Sequence, residues 1–282
     1  FLGCISFSLA SFFPPDSELI IFTLAVIWGS ISITLFDCST DGLAVDTTGK
    51  DEYGKVQGLM VGSRSLSFIL LSVIFGNVSG KTDYDLIFWV IAILMFFTFI
   101  LMIGYRSKSI SPKIEKFQWS AFNSLKKPIF LIFSIYAILY SLFSFGVDGL
   151  ITFFMSREFH VTEIDQRNFN ALRGIGVIVG AFAGAFIMNK YGLKKSSLFA
   201  LIFLSFGAVL LSFTWNLYSL FIVGTIWGLA WGFQEMVFLS LAMDVADARI
   251  AASMFAITMA ISNLGTALAE VLTTGLVENM GI

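Results

Sequence analysis

Asp37 and Arg64 each stand inside a long apolar run of this chain. Residues 19–36 carry no charge, and after Arg64 none appears until Lys81. A short polar turn at 47–55 separates the two runs. Runs of this length suit a bilayer, since a spanning helix needs roughly 20 mostly apolar residues. Charges at that depth are costly and face a bundle interior or a water-filled cavity. In a helical hairpin, residues equally far from the turn share one depth. Asp37 and Arg64 centre their hairpin between Lys50 and Asp51. They are therefore expected at one depth, within reach of an ion pair and facing the interior. Asp41 lies one helical turn from Asp37 on nearly the same face.

The pattern returns. A shift of 198 residues carries Asp37 onto Glu235, Leu43 and Ala44 onto Leu241 and Ala242, and Asp46 onto Asp244. Arg64 then falls on Ser262, beside Asn263. Internal repeats are a common feature of transporter folds; the alternative is coincidence in a low-complexity apolar chain.

Apolar residues make up 57% of the chain and charged residues only 13%, which excludes disorder and disfavours a soluble domain. The net charge of −2 gives no sign of a nucleic-acid partner. Two cysteines, Cys4 and Cys38, cannot form a disulfide framework, and the lone His160 cannot form a His-rich metal site. The opening run, 1–13, has no basic leader, so it is read as the end of a helix in a fragment rather than a signal peptide. It stops at Pro14-Pro15-Asp16. Full helices are expected at 18–46, 56–79, 85–105, 128–155, 167–189, 194–213, 217–244 and 249–276. The turns at 47–55, 106–127, 190–195 and 246–249 hold twelve of the 17 Lys and Arg, against three in the alternate turns. This positive-inside bias makes the first set cytoplasmic. The chain thus divides into a bundle at 1–105, a cytoplasmic linker at 106–127 and a bundle at 128–282. Phe117, Trp119 and Phe122 suggest that the linker includes a helix lying on the membrane surface.

One loop carries a motif. Ala185 to Lys195 reads AFIMNKYGLKK. It resembles the G-x-x-x-D-[RK]-x-G-x-[RK]-[RK] loop of the major facilitator superfamily, with Ala185 for the first Gly and Asn189 for the Asp. Gly192 permits the tight turn; Lys190, Lys194 and Lys195 supply the charge. The resemblance implies an all-α, polytopic membrane protein of the plasma or cytoplasmic membrane, covering the end of helix three to helix eleven of that fold. It implies a secondary active transporter of a small organic solute working by alternating access, with protons as a candidate coupling ion. The acidic helix followed by a polar turn and an Arg, and the stretch AITMAISNLG from Ala256, resemble the muropeptide permease, folate–biopterin and acetyl-CoA transporter branches. The marks of drug–proton antiporters are missing.

Three constellations are candidate substrate or coupling sites. The first is Asp37, Asp41 and Arg64. The second is Asp148 with Arg173, equally far from the turn near His160, where Gly146 and Gly149 could loosen the helix. The third is Glu235, with Asn263 at matching depth and no Lys or Arg on the next helix. Gln234, Trp227 and Trp231 share that helix, and Trp28 lies at the corresponding depth of its repeat partner. The alternative for Asp37 with Arg64 and for Asp148 with Arg173 is a fixed packing pair, since buried pairs add little net stability. Asp46, Asp244 and the loop residues Asn189, Lys190, Gly192, Lys194 and Lys195 are candidates for a cytoplasmic gate. Gly174, Gly176, Gly180 and Gly184 point to close helix packing. No nucleotide loop is present and no cofactor or metal is expected. The expected partners are a small-molecule substrate, protons and membrane lipid, with the protein a monomer and not an enzyme. The competing classes are a membrane prenyltransferase holding Mg²⁺ on Asp37, Asp41, Asp46, Asp244 and Asp247, and a non-transporting scaffold.

Overall fold

The computed structural model describes residues 1–13, 15–78, 85–104 and 119–280, with side chains at 1–13, 18–73, 86–104 and 119–277. Those residues form α1 (Leu2–Phe12), α2 (Pro15–Thr47), α3 (Tyr53–Val78), α4 (Asp85–Ile103), α5 (Pro128–Glu158), α6 (Glu163–Tyr191), α7 (Leu193–Leu211), α8 (Leu217–Val245) and α9 (Ala251–Met280). Eight of them, α2 to α9, are long and apolar enough to cross a membrane. The expected spans fall on them with ends shifted by a few residues. Many large apolar side chains, such as Leu101 and Ile20, point outward; in a bilayer that face meets lipid rather than water.

Local chemistry sets the helix ends. Thr162 and Asp165 form a capping box that starts α6, with Asp165 N donating to Thr162 Oγ1 at 3.2 Å. Asn216 and Ser219 do the same for α8, where Ser219 N donates to Asn216 Oδ1 at 2.7 Å. Gly192 alone joins α6 to α7. Its φ of 80° lies in the left-handed region that side chains avoid. α5 runs unbroken past Gly146 and Gly149.

The core sits where α6 and α8 cross. A Cβ on Gly180 would lie 2.0 Å from Leu229 O, and one on Gly228 would lie 2.2 Å from Arg173 O. Gly176 and Gly232 meet opposing backbone in the same way. The backbones therefore touch, as small-residue crossings in membranes allow. The α8 half of this seam, Gly224, Gly228 and Gly232, repeats every four residues, a signal the sequence reading did not use. Around this seam α3 packs on α6, α7 on α8, and α5 on α9, while α1 bridges α2 and α4.

Gly180→Leu should destabilise the purified protein by more than the about 1–3 kcal/mol usual for overpacking, because backbone cannot yield. Gly49→Ala, with nothing within 4 Å of its added methyl, should leave the unfolding temperature unchanged. Thermal unfolding in detergent measures both.

Candidate functional site

A cavity of about 420 Å³ lies between α3, α5, α6 and α8. Arg64, Ser65 and Phe68 reach it from α3, Phe145 and Asp148 from α5, Asn170 and Arg173 from α6, and Trp231 and Glu235 from α8. Arg173 pairs with Asp148, and both side chains are largely buried. The Arg173 guanidinium also lies over the Trp231 ring, 5.4 Å from its centroid, a cation–π contact. This cation is therefore held from two sides.

Glu235, one turn beyond Trp231 on α8, is half-buried in the cavity wall. Tyr140 donates its hydroxyl to Glu235 Oε2 at 2.5 Å, and the Tyr140 ring packs 4.9 Å from Phe238. Gln234 Nε2 donates to the Tyr136 hydroxyl. Tyr136 and Tyr140 are one turn apart on α5, so one face of that helix holds both Gln234 and Glu235 of α8. This corrects the expected Glu235–Asn263 pair. Asn263 is exposed, and its neighbour Ser262 pairs with Ser141 at 2.5 Å. The reason is packing: α9 lies against α5 and α2, so its depth matches Glu235 but its face does not. The next helix, α9, carries no Lys or Arg, as expected; the basic residue that shares Glu235's cavity is Arg64, from α3.

Arg64 Nη2 stands 3.8 Å from Asp37 Oδ1. That is an ion pair too long for a hydrogen bond. Asp37 is exposed and does not line the cavity, so only the Arg64 half of the pair reaches the interior as expected. Asp41 is buried. Trp231 lines the cavity, whereas Trp227 is fully buried in the α8 core and Trp28 is exposed on the groove between α1 and α2. Trp227 Nε1 and Gln234 Oε1 have no hydrogen-bond partner among the described residues.

Near the turns that join α2 to α3 and α8 to α9 the halves of the chain meet. A Cβ on Gly42 of α2 would lie 2.9 Å from Ala252 Cβ of α9. Gln57 Nε2 of α3 donates to Met243 Sδ of α8 at 3.0 Å. Lys50 pairs with Asp244 at 3.1 Å, both exposed. A cleft beside that pair is lined by Lys50, Tyr53, Asn189, Gly192 and Asp244. Lys190 lies over its neighbour Tyr191, 5.2 Å from the ring centroid, while Lys194 and Lys195 are exposed. Asp46 is half-buried, with no ion-pair partner among the described residues. The acids once weighed as a Mg²⁺ site are thus dispersed. Among the described residues no three gather as a metal site.

Asp247, in the turn between α8 and α9, escaped the search for intramembrane charges. It accepts from Ser124 Oγ at 2.5 Å and from Arg249 Nη2 at 2.8 Å, with Lys127 Nζ at 3.7 Å. These contacts pin a short helical segment, Trp119–Lys126, whose Ala121 packs with Phe130, Ile250 and Met254. Trp119 on its outer side is exposed, as a surface-lying helix requires. Phe117 lies outside the described residues, as do Lys81, Arg106, Lys108, Lys113 and Lys116 of the charge count. The Arg249 guanidinium and the Ser124 hydroxyl hold the Asp247 carboxyl well below the usual carboxylate range. A depressed carboxylate lends stability at pH values above its unfolded pKa, lost only as pH falls through the folded one. The contact should therefore persist unchanged from pH 7 to pH 5. Asp247→Asn should speed amide hydrogen exchange across 119–126 at pH 7 by about ten-fold, the effect of losing a charge-assisted hydrogen bond.

The family model of the Major Facilitator Superfamily matches residues 1–270. No curated protein matches the chain in sequence. Among solved structures it is similar to the human organic anion transporter MFSD10 (TETRAN), with a TM-score of 0.74 and 14% identity, over 98% of this chain and 70% of that one. It is also similar to a bacterial homologue of the iron transporter ferroportin in an outward-facing state, with a TM-score of 0.63 and 14% identity, over 100% and 75%. A third is the transporter FucP in the outward conformation, with a TM-score of 0.55 and 12% identity, over 95% and 81%. At these identities the likeness is one of fold.

Proposed function

Because the chain belongs to the Major Facilitator Superfamily, we propose that it is a secondary active transporter that moves a small organic solute by alternating access, with protons as the coupling ion. Its two bundles are 1–105 and 128–282, joined by the cytoplasmic segment 106–127. The observation that carries this reading is a cavity ringed by charged groups from four helices at membrane depth, above cytoplasmic ends that are packed shut. Charges inside a bilayer mark pathways for solutes and ions. A site at mid-membrane between two bundles that rock against each other is the working form of such carriers.

The contacts between the bundles support a two-fold relation along the membrane normal. In the 198-residue register α2 corresponds to α8 and α3 to α9. The crossing of α2 with α9 then exchanges with that of α3 with α8, and the chain has both. The outward state of two similar structures matches the sense of the cytoplasmic closure here.

Glu235 is the coupling residue in this reading. A bare carboxylate at that depth is costly, and a proton neutralises it. Its hydrogen-bond partner, Tyr140, comes from its own bundle, while Arg64 faces it from the other. Rocking would change the distance to Arg64 but not the distance to Tyr140. Asp148 with Arg173 serves as the fixed wall, and Lys50 with Asp244 as a cytoplasmic latch.

Alternating access is testable without knowing the solute. With Cys4 and Cys38 replaced by Ser, spin labels at Glu52 and Ala248 should report two distance populations in nanodiscs. Lys50→Ala should favour the longer by about five-fold at most, since exposed ion pairs contribute roughly 0–1 kcal/mol. A single distance, unmoved by pH, would count against the carrier reading. Once a solute is in hand, Glu235→Gln should abolish its accumulation by proteoliposomes under an imposed pH gradient while counterflow exchange continues. Gradient-driven accumulation by that variant would instead make Glu235 a packing residue.

A further inference from the structure

We infer that the solute is an organic monoanion, a carboxylate on an aromatic or otherwise apolar body, anchored by Arg64 and bound together with the proton on Glu235. The inference rests on the transport reading above and adds the chemistry of the cargo.

The cavity wall holds four charged side chains: Arg64, Asp148, Arg173 and Glu235. Two of them are spent on each other. Arg173 is paired with Asp148 and lies against the Trp231 face, so this unit is neutral and largely buried. Arg64 differs. Its side chain is 53% exposed, and its one ion contact is Asp37 at 3.8 Å. It makes no hydrogen bond among the described residues. A guanidinium carries five donors in a rigid fork that matches a carboxylate. Arg64 is therefore the wall charge whose hydrogen-bonding capacity remains open.

An amine finds no equal place. The Trp231 face already carries Arg173, and Glu235, one oxygen of which accepts from Tyr140, is neutral when it holds the coupling proton. Beyond the charged groups the wall is mostly apolar, with Val61, Phe68, Phe145 and Val177, and it adds two neutral polar side chains, Ser65 and Asn170. A volume of about 420 Å³ admits a ring with a side chain.

Charge balance joins the anion to the proton. The groups facing Glu235 are Tyr136 and Tyr140 from α5, Arg64 from α3, and Arg173 with its partner Asp148 across the cavity. α7 and α9 put no residue in the wall, and Asp37 and Asp41 stand on α2 outside it. With Glu235 ionised, the wall is neutral and Arg64 faces a carboxylate. With Glu235 protonated, the wall carries one positive charge, which a monoanion cancels. Net charge inside a bilayer is penalised, so the anion and the proton favour each other's binding.

The test uses three compounds with one body: 3-phenylpropionate, 2-phenylethylamine and phenylalanine. Binding is measured by calorimetry on the full-length carrier in nanodiscs at pH 7.5 and 5.5. 3-Phenylpropionate should bind about ten-fold or more tightly than the other two, as a charge-assisted bidentate pair gives, and more tightly at the lower pH. Arg64→Gln should remove that advantage, and Arg64→Lys should restore part of it. Glu235→Gln should bind the anion equally at both pH values, an outcome a packing role would not produce. The inference is overturned if the amine or the zwitterion binds tighter, if Arg64→Gln binds like the native protein, or if none of the three binds. The spin-label distances separate the two readings. Two populations with no anion binding remove the cargo assignment alone, and one population removes the carrier reading itself.

Discussion

Backbone touches backbone where α6 crosses α8, and the cavity takes its shape from that contact. In lipid, two apolar helices gain no hydrophobic energy by leaving a solvent as apolar as themselves. What remains is dispersion, which needs closeness. Gly176 and Gly180 on one helix and Gly228 and Gly232 on the other supply it, each lying over an opposing main-chain atom. Glycine is a poor helix former in water, but hydrocarbon forbids an unpaired backbone and holds the helix regardless. The Gly228 contact is with the carbonyl of Arg173 itself. The seam thus fixes the register of Arg173 against Trp231 and Glu235, three and seven residues further along α8.

Given that frame, the buried charges fall into two kinds. Asp148 and Arg173 satisfy each other at close range, with an aromatic face closing the remaining side. Such a unit stays put, because separating it strands two charges out of water. Among the described residues Arg64 and Glu235 are each held by one partner, Asp37 and Tyr140, and the first of these contacts is long. Arg64 can change partners at little energetic loss, while Glu235 keeps Tyr140. A carrier needs both kinds: a rigid wall and groups free to respond to a ligand.

The sequence made the spans legible because a bilayer leaves few choices. Apolar length gives the helix, and distance from a turn gives the depth. That rule brought Asp37 to Arg64 and Asp148 to Arg173, since each pair lies on helices adjacent in sequence. It could not find Tyr140 for Glu235, because α5 and α8 are neighbours only in space. Nor could it see rotation about the helix axis, which turned Trp227 into the core, Trp28 outward and Asn263 away from Glu235. The spacing of Tyr136 and Tyr140, one turn apart in an apolar helix, was a usable sign of a polar face. Asp247 lay in a turn, where a carboxylate is unremarkable until Ser124 and Arg249 are seen to converge on it.

The two crossings between the halves of the chain, α2 with α9 and α3 with α8, are unequal in chemistry. Between α2 and α9 the contact is small and apolar, Gly42 on Ala252. Between α3 and α8 it is polar and imperfect. Gln57 is fully buried there, donates to a thioether, and leaves its Oε1 without a partner among the described residues. A thioether is a weak acceptor, and an unsatisfied buried acceptor costs about 1–3 kcal/mol. Water entering on separation would satisfy both ends of that amide. The α2–α9 crossing is thus a packing contact, and the α3–α8 crossing is the less well satisfied of the two.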